Sequence, residues 1–276
     1  MRGSDRLERG LSLLDDGQWD EAVVALEFAY AESPGSVSAY WLAQARFQRA
    51  RHAPPRSPWE GLAEWREVAR QLAAARALAG TRVEVDTTLL ARESVIARAS
   101  IVETLLVLGA WAAVSGNEGF ARLERLADSL PAPEAAPYGL LRGYVVAVAP
   151  HIPADSLIHK VRNRWWGVLL DPGARRAEHI FSRSGEAPSD GGGRQPAPSD
   201  VARIYPVRLS WGGSIRSGRR VLCFDHSDVA ARERCLDLEE VVEISDGAFL
   251  GRAWRRVGDG ETADWQEVGY YVLATL

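Results

Sequence analysis

The chain has 276 residues, of which 46% are hydrophobic and 25% are charged, and its formal net charge is −4. This is the composition of a globular protein, long enough for two ordinary domains, and it excludes fibrous and disordered classes. A net acidic chain has no overall positive field for nucleic acid, so such binding would require a local basic patch.

Three further absences in the sequence restrict the class of protein. No uncharged apolar run reaches the about 18 residues that span a bilayer, and the first residues, MRGSDRLERG, lack the apolar core of a signal sequence. The two cysteines are too few for a disulfide framework. We therefore expect a soluble, cytoplasmic protein without a membrane partner.

The first 34 residues carry two apolar faces separated by a turn. Leu7, Leu11 and Leu14 recur at helical spacing before the break at Asp16-Gly17. A second helical face follows the break: Trp19, Ala22, Val23, Leu26, Ala29 and Tyr30. Pro34 would end this second helix. The pattern predicts a hairpin of two packed helices.

Several of these residues fall on the spacing of a known repeat family. They are Gly10, the run GQWDEA at 17–22, Leu26, Ala29 and Pro34, with Trp19 at the aromatic position. The segment thus resembles a tetratricopeptide repeat, in which small residues such as Gly10 and Ala22 allow two helices to approach closely. The resemblance implies a stack of hairpins whose concave face binds a protein partner.

The next segment predicts more helices as far as residue 150. Tyr40, Trp41, Leu42, Ala45 and Phe47 open a second hairpin, whose loop is lengthened by RHAPPRSP. Ser57-Pro58-Trp59-Glu60 is a capping box that starts its second helix. A long helix at about 86–115, a short amphipathic helix ending at Pro131 and a closing helix at about 137–148 would follow. A generic helical bundle is the alternative interpretation.

After Pro150 the pattern changes to short strands bounded by turn residues. The predicted strands are Trp165–Asp171, Arg176–Phe181, Val201–Trp211, Arg219–Phe224, Arg234–Ile244, Gly251–Val257 and Tyr270–Leu276. A short helix at 154–162 would precede them. The Gly/Pro/Ser-rich stretch Ser182–Asp200 is expected to be a disordered loop. The predicted fold class is α+β, with a helical repeat domain at 1–150 and a small antiparallel β-barrel domain at 151–276.

Three motifs in the second half occur in a familiar order. They are Arg203-Ile204-Tyr205-Pro206, the segment Val221–His226, and Arg234-x-Leu236-x-Leu238-x-x-Val241. In this order they resemble a WYL domain, a small Sm/SH3-like β-barrel of bacterial transcription regulators and phage-defence systems. The Trp-Tyr pair of that family is replaced here by Arg219 and Arg220. The resemblance implies a basic groove for nucleic acid or nucleotide ligands.

The arginines of this half support the same expectation from the residues themselves. Val201–Arg220 contains five arginines and no acidic residue, and arginine with interleaved aromatic residues suits phosphate contact and base stacking. The candidate binding residues are Arg203, Arg219, Arg220 and Arg234. The competing interpretation is that Arg234 pairs with Glu239 or Glu240 and only secures the sheet.

Catalytic and metal motifs are not apparent in the sequence. The five histidines show no metal-ligand spacing with one another or with the cysteines, so neither a metal nor a cofactor is predicted. His226 is expected in a surface turn beside Asp225, Ser214 in a hairpin turn, and Cys223 in the core. A hydrolase or nuclease would have to rest on His226 and Asp225 alone, so we expect a protein that is not an enzyme.

The expected function is that of a non-catalytic adaptor or regulatory protein. Its helical repeats would bind a protein partner, with Tyr40, Gln44 and Phe47 on the first helix of a hairpin facing that partner. The barrel would dock or sense a ligand. The alternative is a nucleic-acid- or nucleotide-binding regulatory subunit of a transcription, phage-defence or CRISPR-type system.

Overall fold

The computed structural model describes residues 3–53, 55–79, 85–161, 164–183, 201–229, 236–258 and 264–275. Six helices come first: α1 (Gly3–Asp15), α2 (Trp19–Glu32), α3 (Ser36–His52), α4 (Pro58–Ala79), α5 (Thr87–Ser115) and α6 (Asn117–Ser129). The strands that follow are β1 (Gly139–Val148), β2 (Trp165–Asp171), β3 (Arg176–Ser182), β4 (Val201–Gly213), β5 (Arg220–Asp225), β6 (Leu238–Ser245), β7 (Ala248–Val257) and β8 (Asp264–Ala274), with a short helix α7 (Leu157–Val161) between β1 and β2.

The chain forms two compact units, Met1–Thr104 and Leu105–Leu276. The division lies within α5 and well before residue 150, where the sequence predicted the domain boundary. The second unit therefore contains α6 and β1 in addition to the predicted strands. The fold is mixed, with helices at the N-terminal side and a closed antiparallel barrel in the C-terminal half.

In the N-terminal unit, α1 packs against α2, α2 against α3, and α3 against α4. The predicted faces of the first hairpin are buried together, with Leu14, Ala22, Val23 and Leu26 in one cluster. A methyl group at Gly10 would lie 2.6 Å from Leu26 Cγ, so this glycine permits the close approach of α1 and α2. The helices are confirmed, while their membership of the tetratricopeptide class stays a prediction.

Side-chain caps fix the starts of α4 and α5. The backbone N–H of Glu60 donates to Ser57 Oγ at 3.2 Å, and the Glu60 side chain accepts from the N–H of Arg56 at 3.1 Å. At α5, Asp86 Oδ1 accepts from the N–H groups of Thr88 and Leu89. These bonds satisfy donors that a helix leaves free in its first turn.

Within the described residues, α5 is the one helix whose length and apolar composition would allow it to cross a bilayer. The central helix of a soluble protein meets the same criteria, and Leu90, Ile101 and Leu108 of α5 are fully buried. This helix is weak support for a membrane protein, and the structure is compatible with a soluble one. A cytoplasmic location stays a prediction.

The strands form a closed meander in which each strand pairs antiparallel with the next and β8 returns to pair with β1. Arg142 closes the barrel, because its backbone is opposite Gly167 of β2 on one side and Ala274 of β8 on the other. A barrel of eight strands has an interior just wide enough for packed side chains or one small ligand. Each predicted strand overlaps one of the strands β2–β8, but the described residues Arg219, Leu236, Asp237 and Thr275 at the predicted ends lie outside the strands.

The predicted closing helix at 137–148 was wrong, because this segment forms strand β1. Val145, Val146 and Val148 are β-branched and favour a strand. Gly143 is needed for barrel closure, since a methyl group there would lie 2.6 Å from the Trp165 ring. The predicted disordered loop, Ser182–Asp200, falls mostly on residues 184–200, which lie outside the described residues.

Candidate functional site

The barrel contains a cavity of about 70 Å³ with mainly apolar walls. Val145, Trp165, Phe181, Ala253 and Val268 are among the residues that line it. A water molecule needs roughly 10–15 Å³ of such space, so the cavity has room for several waters or for part of a small molecule. The described side chains therefore do not completely fill the barrel interior.

Four polar side chains meet at this cavity: His179 of β3, His226 just after β5, Glu239 of β6 and Tyr271 of β8. Both imidazole Nε2 atoms lie close to the same carboxylate oxygen, Glu239 Oε1, at 3.2 Å for His179 and 2.9 Å for His226. The Tyr271 hydroxyl donates a short hydrogen bond to the other oxygen, Glu239 Oε2. The exposed fraction of every one of these residues is 6% or less.

Strand alternation directs two of these side chains inward. His179 shares the inward face of β3 with Ala177 and Phe181, and both neighbours belong to the barrel core. Glu239 likewise shares the inward face of β6 with Val241.

A turn after β5 positions the third side chain. The His226 N–H donates to Asp237 O at 3.1 Å, and the His226 carbonyl accepts from the N–H of Val229 at 2.9 Å. These bonds hold the backbone so that the imidazole enters the barrel. His226 is therefore buried, and its predicted place in a surface turn was wrong.

Ring contacts hold the imidazoles in place. The His179 and His226 rings have centroids 5.2 Å apart, and the Trp165 ring lies 5.9 Å from that of His179. Trp165 also meets Tyr271 edge to face at 5.2 Å. The aromatic groups thus restrict the orientation of the histidine and tyrosine side chains around Glu239.

The electrostatics of the cluster favour an ionised carboxylate. Burial alone would raise the pKa of Glu239, but the neighbouring His179 and His226 outweigh it and lower the pKa well below its ordinary value. Burial, and next the charge of Glu239, raise the pKa of Tyr271 well above its ordinary value. Tyr271 therefore stays protonated, and its hydroxyl donates a hydrogen bond to the charged carboxylate of Glu239.

A second polar cluster lies on the opposite face of β6 and has a structural role. Glu240 accepts hydrogen bonds from Ser214 Oγ at 2.9 Å and from the Ile215 N–H at 2.5 Å. Arg252 pairs with Asp128 of α6 at 2.6 Å. These contacts secure α6 and the turn after β4 against the barrel wall, so Ser214 acts as a turn residue and is not placed as a nucleophile.

The structure describes Arg219 and Arg220 fully and only the backbone of Arg203. Arg219 donates to the carbonyl of Asp128 at 2.6 Å, and Arg220 lies 4.0 Å from the centroid of the Trp211 ring. The backbone of Arg203 pairs with Ile180, whereas Arg220 pairs with Gly213 at the other end of β4, roughly 33 Å away along the strand. The Arg203 side chain and the whole of Arg234 lie outside what the structure describes.

The predicted partner-binding residues lie inside the helical unit. The exposed fractions of Tyr40, Gln44 and Phe47 are 7%, 6% and 2%. Gln44 donates to Glu93 of α5 at 2.5 Å, and Phe47 meets Trp65 of α4 edge to face. These three side chains pack between helices and do not line an open groove, because α3 contacts α1, α2 and α4, and its Gln44 contacts α5.

Sequence reasoning missed His179, Glu239 and Tyr271 as members of one site. Their spacing along the chain carries no metal or catalytic motif, since the barrel brings together residues from four separate segments. The sequence offered one indication. His179 and Glu239 each occupy a position that alternates with apolar, inward-facing residues on a strand, where an apolar side chain would be expected. Asp225, which the sequence paired with His226, instead accepts from the Ser227 N–H at 2.8 Å in a turn.

Comparisons with known proteins add no identification. No protein-family model matches the chain, and neither the curated proteins nor the solved structures contain a match. The arrangement of the described residues is therefore the basis for any functional conclusion.

Proposed function

We propose that this protein is a non-catalytic binding protein whose barrel takes up a small, mainly apolar ligand bearing one cationic or hydrogen-bond-donating group. The observation that carries the proposal is the incompletely filled barrel interior, with apolar walls and one polar cluster. Binding sites for small molecules commonly combine an apolar cavity with a few convergent polar groups.

The charge of the cavity selects the polar group of the ligand. Glu239 is the one acidic side chain among the described residues that line the cavity; it is paired with His179, His226 and Tyr271, and no Arg or Lys of the described chain joins them. A buried carboxylate is costly unless it is paired and hydrogen-bonded. A ligand amine would add a charge-assisted hydrogen bond to Glu239 while its apolar part contacts Phe181 and Val268.

The helical unit supports the second part of the proposal, an adaptor role. Its successive hairpins and the close contact at Gly10 are what a tetratricopeptide-like stack would require. Val24 and Phe28 lie one turn apart on α2 and are 52% and 55% exposed. We place the protein-partner contact there, in place of the buried Tyr40, Gln44 and Phe47.

A binding role agrees with the state of the candidate nucleophiles. Burial, with the nearby charges of Glu240 and Asp225, raises the pKa of the Cys223 thiol to about 11. The thiol is therefore neutral near pH 7 and a poor nucleophile. Ser214 is hydrogen-bonded to Glu240, with no histidine as its partner among the described residues.

Three probes of similar size and different charge test the cavity: benzylamine, benzyl alcohol and benzoate. Binding to the metal-free full chain, measured by ligand-observed NMR, is expected to decrease in that order. Ala253→Leu should abolish binding by filling the cavity, whereas the same change at the exposed turn residue Ala174 should have no effect. Equal binding by both variants, or preference for benzoate, would contradict the proposal.

The adaptor role needs a separate experiment. Val24→Asp with Phe28→Asp should eliminate partner capture from the native host while the barrel still binds benzylamine. Capture that survives the α2 changes would place the partner elsewhere.

The nucleic-acid alternative is tested by mobility shift with the Arg219→Ala/Arg220→Ala variant over a salt series, because phosphate contacts weaken steeply with salt.

A further inference from the structure

We propose that the barrel holds one divalent first-row transition-metal ion, coordinated by His179 Nε2, His226 Nε2 and Glu239 Oε1. This inference goes beyond the proposed function, because an ion could bind here whether or not an organic ligand enters the cavity. Imidazole nitrogen with a carboxylate oxygen is a donor set that suits zinc, iron, cobalt or nickel, whereas calcium and magnesium prefer oxygen alone.

The distances between the donor atoms are those of a coordination shell. The nitrogen-to-oxygen separations are 3.2 and 2.9 Å, and the ligand atoms of the three residues all lie within 4.8 Å of one another. Tetrahedral zinc with bonds of about 2.0 Å places neighbouring ligand atoms about 3.3 Å apart. An ion would therefore fit between these side chains after small movements.

The direction of one imidazole also favours coordination. His179 Nε2 is buried and, within the part of the chain that the structure describes, has no properly aligned hydrogen-bond partner. It nevertheless lies 3.2 Å from Glu239 Oε1. Ligand atoms of a metal point at the ion and not at one another, so a close but poorly aligned contact is expected between two of them.

The charge and the surrounding contacts of the cluster are consistent with a cation. Glu239 is 1% exposed, and a buried carboxylate needs a counter-charge. Tyr271 donates to Glu239 Oε2 and so leaves Oε1 facing both imidazoles. Hydrogen bonds to metal-binding carboxylates orient them in this way and are a usual part of metal sites.

The three protein ligands would leave at least one coordination position for a water or a ligand atom. Tetrahedral zinc sites with three protein ligands have such an open position, whereas closed structural sites use four. The same side chains line the cavity, so the open position would face it. The alternative is that the imidazoles only donate hydrogen bonds to Glu239 and no ion is needed.

Metal titration of the tag-free full chain, stripped with EDTA, distinguishes these two possibilities. Zn²⁺ binding is measured by calorimetry, and Co²⁺ binding by the visible absorption of a four-coordinate ion. We expect one ion per chain. His226→Gln should weaken binding by roughly 100-fold or more, and His151→Gln, at an exposed turn, should leave it unchanged.

Tyr271→Phe is the second variant, in case His226→Gln does not fold. It keeps all three ligands and should weaken binding by about 10-fold, as expected for loss of a supporting hydrogen bond. The proposal is overturned if the stripped wild-type chain takes up neither ion, or if His226→Gln binds as tightly as wild type. If the chain binds benzylamine but takes up no metal, the metal site is wrong and the proposed cavity ligand stands. If it takes up metal but does not bind benzylamine, the cavity ligand is wrong and the metal site stands.

Discussion

The two units of this protein each bury a glutamate near a tyrosine, but the two carboxyl groups have opposite properties. In the helical unit, burial raises the pKa of Glu93, and the amide of Gln44 offsets this only in part. In the barrel, His179 and His226 overcome the effect of burial and lower the pKa of Glu239. The neighbouring groups therefore decide in which direction the pKa of a buried carboxyl shifts.

The difference has a functional meaning. Glu93, with a raised pKa and an amide partner, forms a polar contact between helices. A charged carboxylate beside two imidazoles concentrates donor atoms and charge at one point of an open cavity. Perturbed groups gather at functional sites for this reason, and we therefore place the site in the barrel.

The largest expected effect comes from making each glutamate neutral. Glu239→Gln should reduce the free energy of unfolding by about 3 kcal/mol, because it removes one partner of a buried polar cluster. Glu93→Gln should cost under about 1 kcal/mol, because the new amide oxygen can still accept from the Gln44 amide. Urea denaturation in EDTA measures both changes, and equal losses would remove the distinction between the two units.

A glycine in each unit tests how firmly its surroundings are fixed. A methyl group at Gly251 would lie 1.9 Å from Tyr271 Cζ, so Gly251→Ala must displace the ring that donates to Glu239. We expect a loss of about 1–3 kcal/mol. Gly10→Ala places a methyl group 2.6 Å from Cγ of the buried Leu26, but a gain of up to about 1 kcal/mol of helix propensity offsets part of this cost.

We therefore expect Gly10→Ala to reduce stability less than Gly251→Ala does. Thermal denaturation followed by circular dichroism compares the two variants, with loss of metal uptake as a second readout for Gly251→Ala. If Gly10→Ala proves the more damaging of the two, the helical packing is less adaptable than the barrel, contrary to this expectation.

Acid should affect the two glutamates in opposite directions. Glu93 has a raised pKa in the folded state, so its contribution to stability is complete below its ordinary value of 4.5 and is lost as pH rises through the folded-state value. Glu239 has a lowered pKa, so its contribution is complete above 4.5 and is lost as pH falls below it.

The measurement is the difference in unfolding free energy between wild type and each glutamine variant as a function of pH. The wild type should lose stability relative to Glu93→Gln as pH rises above 4.5, and relative to Glu239→Gln as pH falls below it. Slopes of the same sign would show that the direction of one of the two pKa shifts is wrong.

The same comparison explains what the sequence could predict. Helices and most strands follow from local patterns: Leu7, Leu11 and Leu14 define one helical face, and Ser57-Pro58-Trp59-Glu60 defines a helix start. Strand β1 was not predicted because an apolar run alone does not distinguish a strand from a buried helix. One of its two partners, β8, also lies more than a hundred residues away.

The site was largely beyond sequence reasoning for the same physical reason. His179, His226 and Glu239 come from separate strands and a turn, and only barrel closure brings their donor atoms together. Tyr40, Gln44 and Phe47 were expected to face a partner because they resemble positions on the first helix of a repeat. In the structure the neighbouring helices cover them, which the spacing of one hairpin could not indicate.

The smallest expected effect concerns a feature that the sequence alone specified, the capping box of α4. Ser57 Oγ accepts from the Glu60 N–H at 3.2 Å in an exposed first turn. Ser57→Ala should cost about 0.5–1 kcal/mol, because it leaves one helix donor to water. Hydrogen exchange of the Glu60 amide should accelerate correspondingly, while exchange of the Val241 amide in the barrel stays unchanged.

Ser4→Ala in α1 is the matched control, since Ser4 Oγ makes only a 3.4 Å contact with its neighbour Asp5. If Ser57→Ala also accelerated exchange at Val241, this local change in the helical unit would reach the barrel, and the two units could not be treated as energetically separate.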